Sequence, residues 1–304
     1  MPTVLITGGT GLVGKALCKL LLQNGFQVIV LSRQLPQNNA QPAVQFAKWN
    51  VQKKQIDVAA LQQTDFIIHL AGAGVMDKKW TTAYKNEIVN SRVQSAALIV
   101  DSLKKYENKV KAVISASAIG WYQPTDAIHT EEEKADDSFL GQTCKLWEES
   151  IAPVELLDKR LVKLRLGIVL SKDDGALKEF IMPQKFGVAA ILGNGKQMIS
   201  WIHIDDLCRL FLFAIQHESI KGVYNAVAPN PVNNKTLTLT LAKKRKALFY
   251  IPFNVPGFVL KIMLGERSIE VLRDITVSCK KLLSAGFDFQ FENIDKALED
   301  LVKK

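Results

Sequence analysis

The sequence has no CxxC pair, no apolar run long enough to span a bilayer, and no acidic residue where its second strand pattern ends. Its four cysteines, Cys18, Cys144, Cys208 and Cys279, are scattered. They read as free thiols of a reducing cytoplasm, with no metal site. The apolar stretches are short and interrupted, which excludes a transmembrane helix. A strand pattern begins almost at Met1, leaving no room for a signal peptide, so a cytoplasmic location is expected. No repeat or low-complexity segment is present. Acidic residues are outnumbered, 30 against 39 Lys and Arg, for a net charge of +9 over 304 residues. The excess is spread along the chain. Only Lys243-Lys244-Arg245-Lys246 is dense, and it reads as a solvated helix end rather than a nucleic-acid surface. The expected partner is a small molecule, with no nucleic acid and no membrane, and with a homodimer left open. A basic surface suits an anionic small molecule.

A hydrophobic share of 48% supplies a sizeable core, enough for one large domain or two closely joined ones. The chain is organised by Val4-Leu5-Ile6-Thr7-Gly8-Gly9-Thr10-Gly11-Leu12-Val13-Gly14. An apolar strand runs into a glycine-rich turn, and a helical pattern starts at once. The glycines fit GxGxxG at Gly9, Gly11 and Gly14, and its close variant at Gly8, Gly11 and Gly14. Such a turn needs positive φ, close backbone approach to a pyrophosphate, and tight helix–strand packing. The helix start then offers free N–H groups to phosphate. Strand, turn and helix in this order make the pattern a dinucleotide site.

The second strand, 26–31, ends in Ser32-Arg33. An NAD-selective fold places Asp or Glu here to bind the ribose 2′-OH. A hydroxyl and a guanidinium instead suit a 2′-phosphate, so the expected cofactor is NADP. Residues 36–42 read as a loop, 44–49 as a strand, and 65–72 as a buried strand ending in small residues. His69, inside that apolar run, reads as a packed core histidine. A long helix spans about 79–106, with Glu87 and Arg92 as helix-surface charges by spacing alone. A strand at 110–117 ends in Ser115-Ala116-Ser117, and Trp121-Tyr122 follow. A helix at 138–157 should be kinked or broken by Pro153. A strand at 161–170 is interrupted by Gly167.

Strands alternating with helices predict an α/β fold with a doubly wound parallel sheet of Rossmann type. The expected division is a cofactor-binding domain at 1–170, with a sheet contribution from about 200–228, and a smaller α/β lobe at 171–304. Within that lobe the pattern predicts helices at 176–186, 205–216, 233–246, 256–264, 269–277 and 294–302, and strands at 200–204, 222–228 and 248–251. Asp205 is the expected cap of the second of these helices.

Four stretches carry a resemblance over nearly the whole length: Thr7 through Gly14; Asp65 to Gly72, read as D-x-x-x-H-L-A-G; Ser115-Ala116-Ser117 with Trp121-Tyr122; and Trp201-Ile202-His203-Ile204-Asp205-Asp206-Leu207. On them the chain resembles the extended short-chain dehydrogenase/reductases, the NAD(P)-dependent epimerase/dehydratase group. It is similar in particular to the epimerase-like subfamily with its own C-terminal domain. The resemblance implies that Ser32 and Arg33 hold the 2′-phosphate, that Leu70, Ala71 and Gly72 line the cofactor, and that Arg92 and Glu87 reach it. The cofactor set is completed by Gly8, Thr10, Gly11, Leu12, Val13 and Gly14.

The family's chemistry uses a serine and a tyrosine with a lysine four residues on. Ser117 fits the serine. Aligning on Glu148 puts Leu140 at the tyrosine and Cys144 at the lysine; sliding one place recovers Lys145 but puts Gly141 at the tyrosine. In neither register is the pair present. Leucine has no proton to give, which leaves Tyr122 as the nearest substitute, Cys144 as an alternative nucleophile, or a protein that binds cofactor without turnover. The expectation is an NADP(H)-binding oxidoreductase or epimerase acting on a small carbonyl or nucleotide-sugar substrate, with catalytic candidates Ser117 and Tyr122. The alternative is a catalytically silent NADP(H)-binding sensor or regulatory protein.

Overall fold

The computed structural model describes residues 1–36, 43–245 and 250–303. The chain opens with β1 (Thr3–Thr7), α1 (Leu12–Gln23), β2 (Gln27–Ser32), β3 (Val44–Asn50), β4 (Gln55–Ile56), α2 (Val58–Gln62) and β5 (Phe66–His69). It continues through α3 (Thr82–Lys105), β6 (Ala112–Ala118), β7 (Ile128–His129), α4 (Phe139–Ile151), β8 (Arg160–Leu166) and β9 (Ile168–Leu170). Then come α5 (Ala176–Gln184), β10 (Val188–Leu192), β11 (Met198–Ile199), β12 (Trp201–His203), α6 (Ile204–Gln216), β13 (Gly222–Ala226), β14 (Val232–Asn233) and α7 (Asn234–Lys244). The last elements are β15 (Ile251–Val255), α8 (Gly257–Leu264), α9 (Ser268–Val271), β16 (Thr276–Val277), α10 (Lys280–Ser284) and α11 (Ile294–Val302).

Eight strands form one sheet in the order β13-β8-β6-β5-β1-β2-β3-β4. All neighbours run parallel except β3 and β4. The chain builds outward from β1 through β2 and β3, then crosses over and builds the other way from β5. The reversal leaves a crevice at the carboxyl ends of β1 and β5, where ligands bind in such sheets. Strands buried on both faces explain the unbroken apolar runs. Val4 and Ile6 join a core with Leu17 and Leu21 of α1 and Leu210 of α6, while Leu5 joins Ile99 of α3 and Ile151 of α4 on the opposite face.

Local chemistry sets the ends of the elements. The Thr81 hydroxyl accepts from Tyr84 N–H to start α3, and Lys104 and Lys105 sit in its last turn, where cations suit the helix dipole. Pro153 ends α4: the chain tightens into a 3-10 turn over Ala152–Leu157. At Gly167 a Cβ would stand 2.6 Å from Ser200 O, so β12 passes too close for a side chain and the strand breaks into β8 and β9. No helix among the described residues is long and apolar enough to cross a membrane.

Several expectations need correction. Helix α6 begins at Ile204, and its cap is His203, whose ring accepts from Asp205 N–H. The predicted helix at 269–277 is only α9. Its remainder is drawn out, because Asp274 Oδ1 accepts from Met198 N–H and β16 pairs with β7. Strand β10 lies in a stretch with no predicted strand, and it pairs with β15. The loop at 37–42, Lys246 of the basic run and the first residues of the predicted 248–251 strand lie outside the described residues.

Candidate active site

The crevice is closed by hydrogen bonds. Thr7, at the end of β1, is fully buried, and its Oγ1 accepts from Leu70 N–H at 3.1 Å and Ala71 N–H at 3.2 Å. That hydroxyl joins the two strand ends, a role its place in the apolar run does not announce. Gly8 has φ +71°, and a Cβ there would stand 2.9 Å from the Leu70 carbonyl carbon. At Gly14 a Cβ would overlap Gly8 O and Gly9 Cα, so α1 lies directly on the turn. Helix α1 has no side-chain cap. The first-turn amides of Leu12, Val13 and Gly14 therefore point at the crevice without an intrahelical partner. A helix start of this kind forms a cradle of the type that can hold a pyrophosphate. Thr10 and Gly11 lie exposed on its rim.

At the end of β2, Ser32 is half-buried and Arg33 exposed. The Ser32 hydroxyl donates to Gln34 O at 2.6 Å. Lys48 stands opposite Ser32 in the β2–β3 register and is exposed, adding a second cation that spacing along the chain does not show. The Leu70–Gly72 segment forms the far wall. Arg92 packs against Gly72, where a Cβ would lie 3.0 Å from its Cζ. Arg92 Nη1 donates to Ala73 O and Ile88 O, both at 2.9 Å. Its guanidinium lies 5.0 Å from the Trp147 ring and has no carboxylate partner among the described residues. Burial holds Arg92 below its ordinary range. Glu87 is not brought to this wall: it is exposed and pairs with Lys78 at 3.4 Å.

His69 is structural. It is fully buried, with Nδ1 at 3.1 Å from Ser115 Oγ and Nε2 at 2.8 Å from Ser95 Oγ. Burial, with Arg92 adding, pushes its pKa down to about 3.

The two catalytic candidates belong to one buried network. Ser117 Oγ donates to Glu148 Oε1 at 2.7 Å. Glu148 is held by Arg165 through Nε at 2.8 Å and Nη2 at 3.2 Å. Arg165 also donates to the Tyr122 hydroxyl at 3.0 Å, and that hydroxyl donates to Asn225 Oδ1 at 2.6 Å. Arg165 lies 3.7 Å from the Trp121 ring, and Tyr122 stacks on His129. Tyr122 is completely buried, and burial, against the pull of Arg165, pushes its pKa up to about 12. This arrangement corrects the reading of Tyr122 as the proton donor. Its hydroxyl is sealed from any substrate and both its hydrogen-bonding roles are filled.

Helix α4 places Leu140 and Cys144 against Gly120, where a Cβ would be 3.4 Å from Leu140 Cβ and 3.6 Å from Cys144 Sγ. Both are buried. Burial, opposed by Arg92, pushes the Cys144 thiol up to about 12, so it is no nucleophile.

One histidine–carboxylate cluster lies elsewhere. His203, Asp205 and Asp300 gather where α6 meets α11. His203 Nδ1 accepts from Asp205 N–H at 3.1 Å, so the neutral ring carries its proton on Nε2, aimed at Asp300 Oδ2 3.5 Å away. That nitrogen makes no hydrogen bond among the described residues, and while it carries the proton it offers no lone pair to a metal.

Residues 4–145 and 171–226 match the NAD dependent epimerase/dehydratase family, and residues 255–301 match a domain of unknown function, DUF1731. An epimerase family protein of Staphylococcus haemolyticus is 36% identical over 307 residues, covering 99% of both chains. Among solved structures, the human epimerase family protein SDR39U1 (isoform 2) with NADPH aligns with a TM-score of 0.87 at 26% identity, over 99% of both chains. A nucleoside-diphosphate sugar epimerase of Corynebacterium glutamicum aligns with a TM-score of 0.78 at 30% identity, over 99% of this chain and 58% of that one. With the cradle at the β1–β5 crevice and these matches over almost its full length, the chain belongs to the NAD dependent epimerase/dehydratase family of extended short-chain dehydrogenase/reductases.

Proposed function

We propose that the protein binds NADP(H) and uses it as an oxidoreductase or epimerase on a small carbonyl or nucleotide-sugar substrate. The cradle carries this reading: glycine turn, uncapped α1 start, and Ser32, Arg33 and Lys48 without a carboxylate among Val30 to Gln34. Its donors fit the group. Leu12, Val13 and Gly14 amides would hold the pyrophosphate, Ser32 and Arg33 the 2′-phosphate, and Arg92 the far side beyond Gly72. Bound there, a nicotinamide would supply hydride transfer. The human relative's structure contains NADPH, which agrees with the choice of cofactor.

The buried Leu140 and Cys144 and the sealed Tyr122 favour a second reading, a cofactor-binding sensor without turnover.

Titration with NADPH and NADH, followed by cofactor fluorescence, tests the cofactor. NADPH is expected to bind at least tenfold more tightly, and Arg33→Ala to weaken NADPH about tenfold, or about 1.4 kcal/mol, while leaving NADH unchanged. Equal binding of the two cofactors sinks the 2′-phosphate assignment. Turnover of any member of a carbonyl panel with NADPH sinks the sensor reading.

A further inference from the structure

The C-terminal lobe reaches back over the cofactor edge through one short segment. At i, i+4 and i+7, Glu266 lies in the 3-10 turn Gly265–Arg267, Glu270 in α9, and Arg273 just past the end of α9. At one end, Glu266 pairs with Lys85 at 2.7 Å, and Arg267 Nη1 donates to Met76 O at 2.7 Å. Both partners belong to the chain that follows β5. At the other end, Arg273 Nη2 donates to Tyr122 O, and lies 3.4 Å from Gly120 O and 3.4 Å from Asp136 Oδ2. Those partners follow β6. Strands β5 and β6 are neighbours, so the segment bridges their carboxyl ends, and Glu270 sits between the two anchors. Gly120 links it to the missing pair, since this is the residue packed on Leu140 and Cys144.

Two features point to a ligand. The Arg273 side chain is 7% exposed, yet its Nε–H has no acceptor among the described residues. Glu270 presents Oε1 to Arg273 Nη1 at 3.1 Å and keeps 22% of its side chain open. A buried donor without a partner beside a mostly buried carboxyl that keeps a small open face suits an oxygen that both accepts and exchanges a proton. Arg273 is already matched by Glu270 and Asp136, so no positive charge is left over for a carboxylate or phosphate.

We propose that Glu270, held by Arg273, gives and takes the proton of the substrate oxygen, and that the reacting part of the substrate is an uncharged carbonyl or alcohol. The proposal rests on the nicotinamide reading above. In the reducing direction a bound reduced nicotinamide would supply the hydride to the carbonyl carbon and end oxidised, while Glu270 would give its proton to the oxygen, leaving an alcohol and a Glu270 carboxylate. In reverse, the carboxylate takes the hydroxyl proton. Burial pushes the Glu270 carboxyl above its ordinary range, against the pull of Arg273 and with the help of Asp136, which keeps it protonated to higher pH.

The test is carboxyl carbon NMR of the full chain labelled at glutamate Cδ, with Glu270→Gln identifying the signal by its loss. The expected midpoint lies above that of an ordinary glutamate and moves when NADPH saturates the protein. Glu270→Gln should keep NADPH affinity within about twofold and lower turnover of uncharged carbonyls about a hundredfold. An ordinary midpoint, a signal that bound NADPH leaves in place, or turnover that survives Glu270→Gln overturns the proposal. If no carbonyl turns over, the titration alone decides. Failure of NADPH to bind at all removes the cofactor reading and this proposal with it; NADPH bound beside an unresponsive Glu270 removes this proposal alone.

Discussion

His69 shows how one buried side chain couples the sheet to pH. Folded, it stays neutral down to about pH 3; unfolded, it takes up a proton near its ordinary 6.5. Between those values the unfolded chain binds more protons, so stability falls as pH drops below 6.5, by about 1.4 kcal/mol per unit from this residue. His203, also held below its ordinary value by burial, acts in the same direction. Urea unfolding at pH 7.5, 6 and 5 should show this slope, and His69→Asn should flatten it whatever its effect at pH 7.5. An unchanged slope would mean that His69 is protonated in the fold. The burial of His69 was legible in its apolar neighbours. The fate of Tyr122 was not, because its two partners lie 43 and 103 residues away. Its position just past a strand end suits an exposed tyrosine and a buried one equally.

Helix α4 is where the family pattern departs, and the reason is packing. Leu140, Cys144, Trp147 and Ile151 face inward at helical spacing, so the positions of the missing tyrosine and lysine have become core. The helix is held by a charge instead. Glu148 is 7% exposed and pairs with an Arg165 that is 3% exposed. Removing one partner of such a pair leaves the other buried and uncompensated, at about 3–5 kcal/mol. Glu148→Ala should therefore lower the unfolding free energy by that amount. Lys145→Ala, on the exposed face beside Glu149, should change it by less than about 0.5 kcal/mol. Equal effects would remove the anchoring role. The helix and its break at Pro153 could be read from the sequence; its Ser138 cap comes from the structure. The Ser117–Glu148–Arg165 ties could not, since each joins elements that periodicity treats separately.

Across the whole molecule, the C-terminal segment meets the chain that follows β5 through side chains. Lys85 pairs with Glu266 and lies 5.8 Å from the Trp80 ring and 5.2 Å from the Phe139 ring. A partly exposed pair of this kind is worth about 0.2–1 kcal/mol, up to about fivefold in a rate. Lys85→Glu should speed NADPH release by about that factor in stopped-flow fluorescence. The double exchange Lys85→Glu, Glu266→Lys should restore it. A double variant as fast as the single one would show that the pair does not hold the C-terminal segment in place. The parallel sheet and the glycine turn after β1 were open to sequence reading because each rests on local apolar runs and glycine spacing. The C-terminal segment was not. α9 is too short for periodicity, and β16 owes its shape to β7, far upstream.

The reach of Arg267 to Met76 spans 191 residues of sequence. The two ends of this contact therefore come from widely separated parts of the chain. The residues proposed to grip a nucleotide sit in the first third of the chain, and those proposed to meet the substrate sit near the end. On the proposed assignment, substitutions in the late segment would change the choice of substrate while the proposed cofactor residues stay as they are.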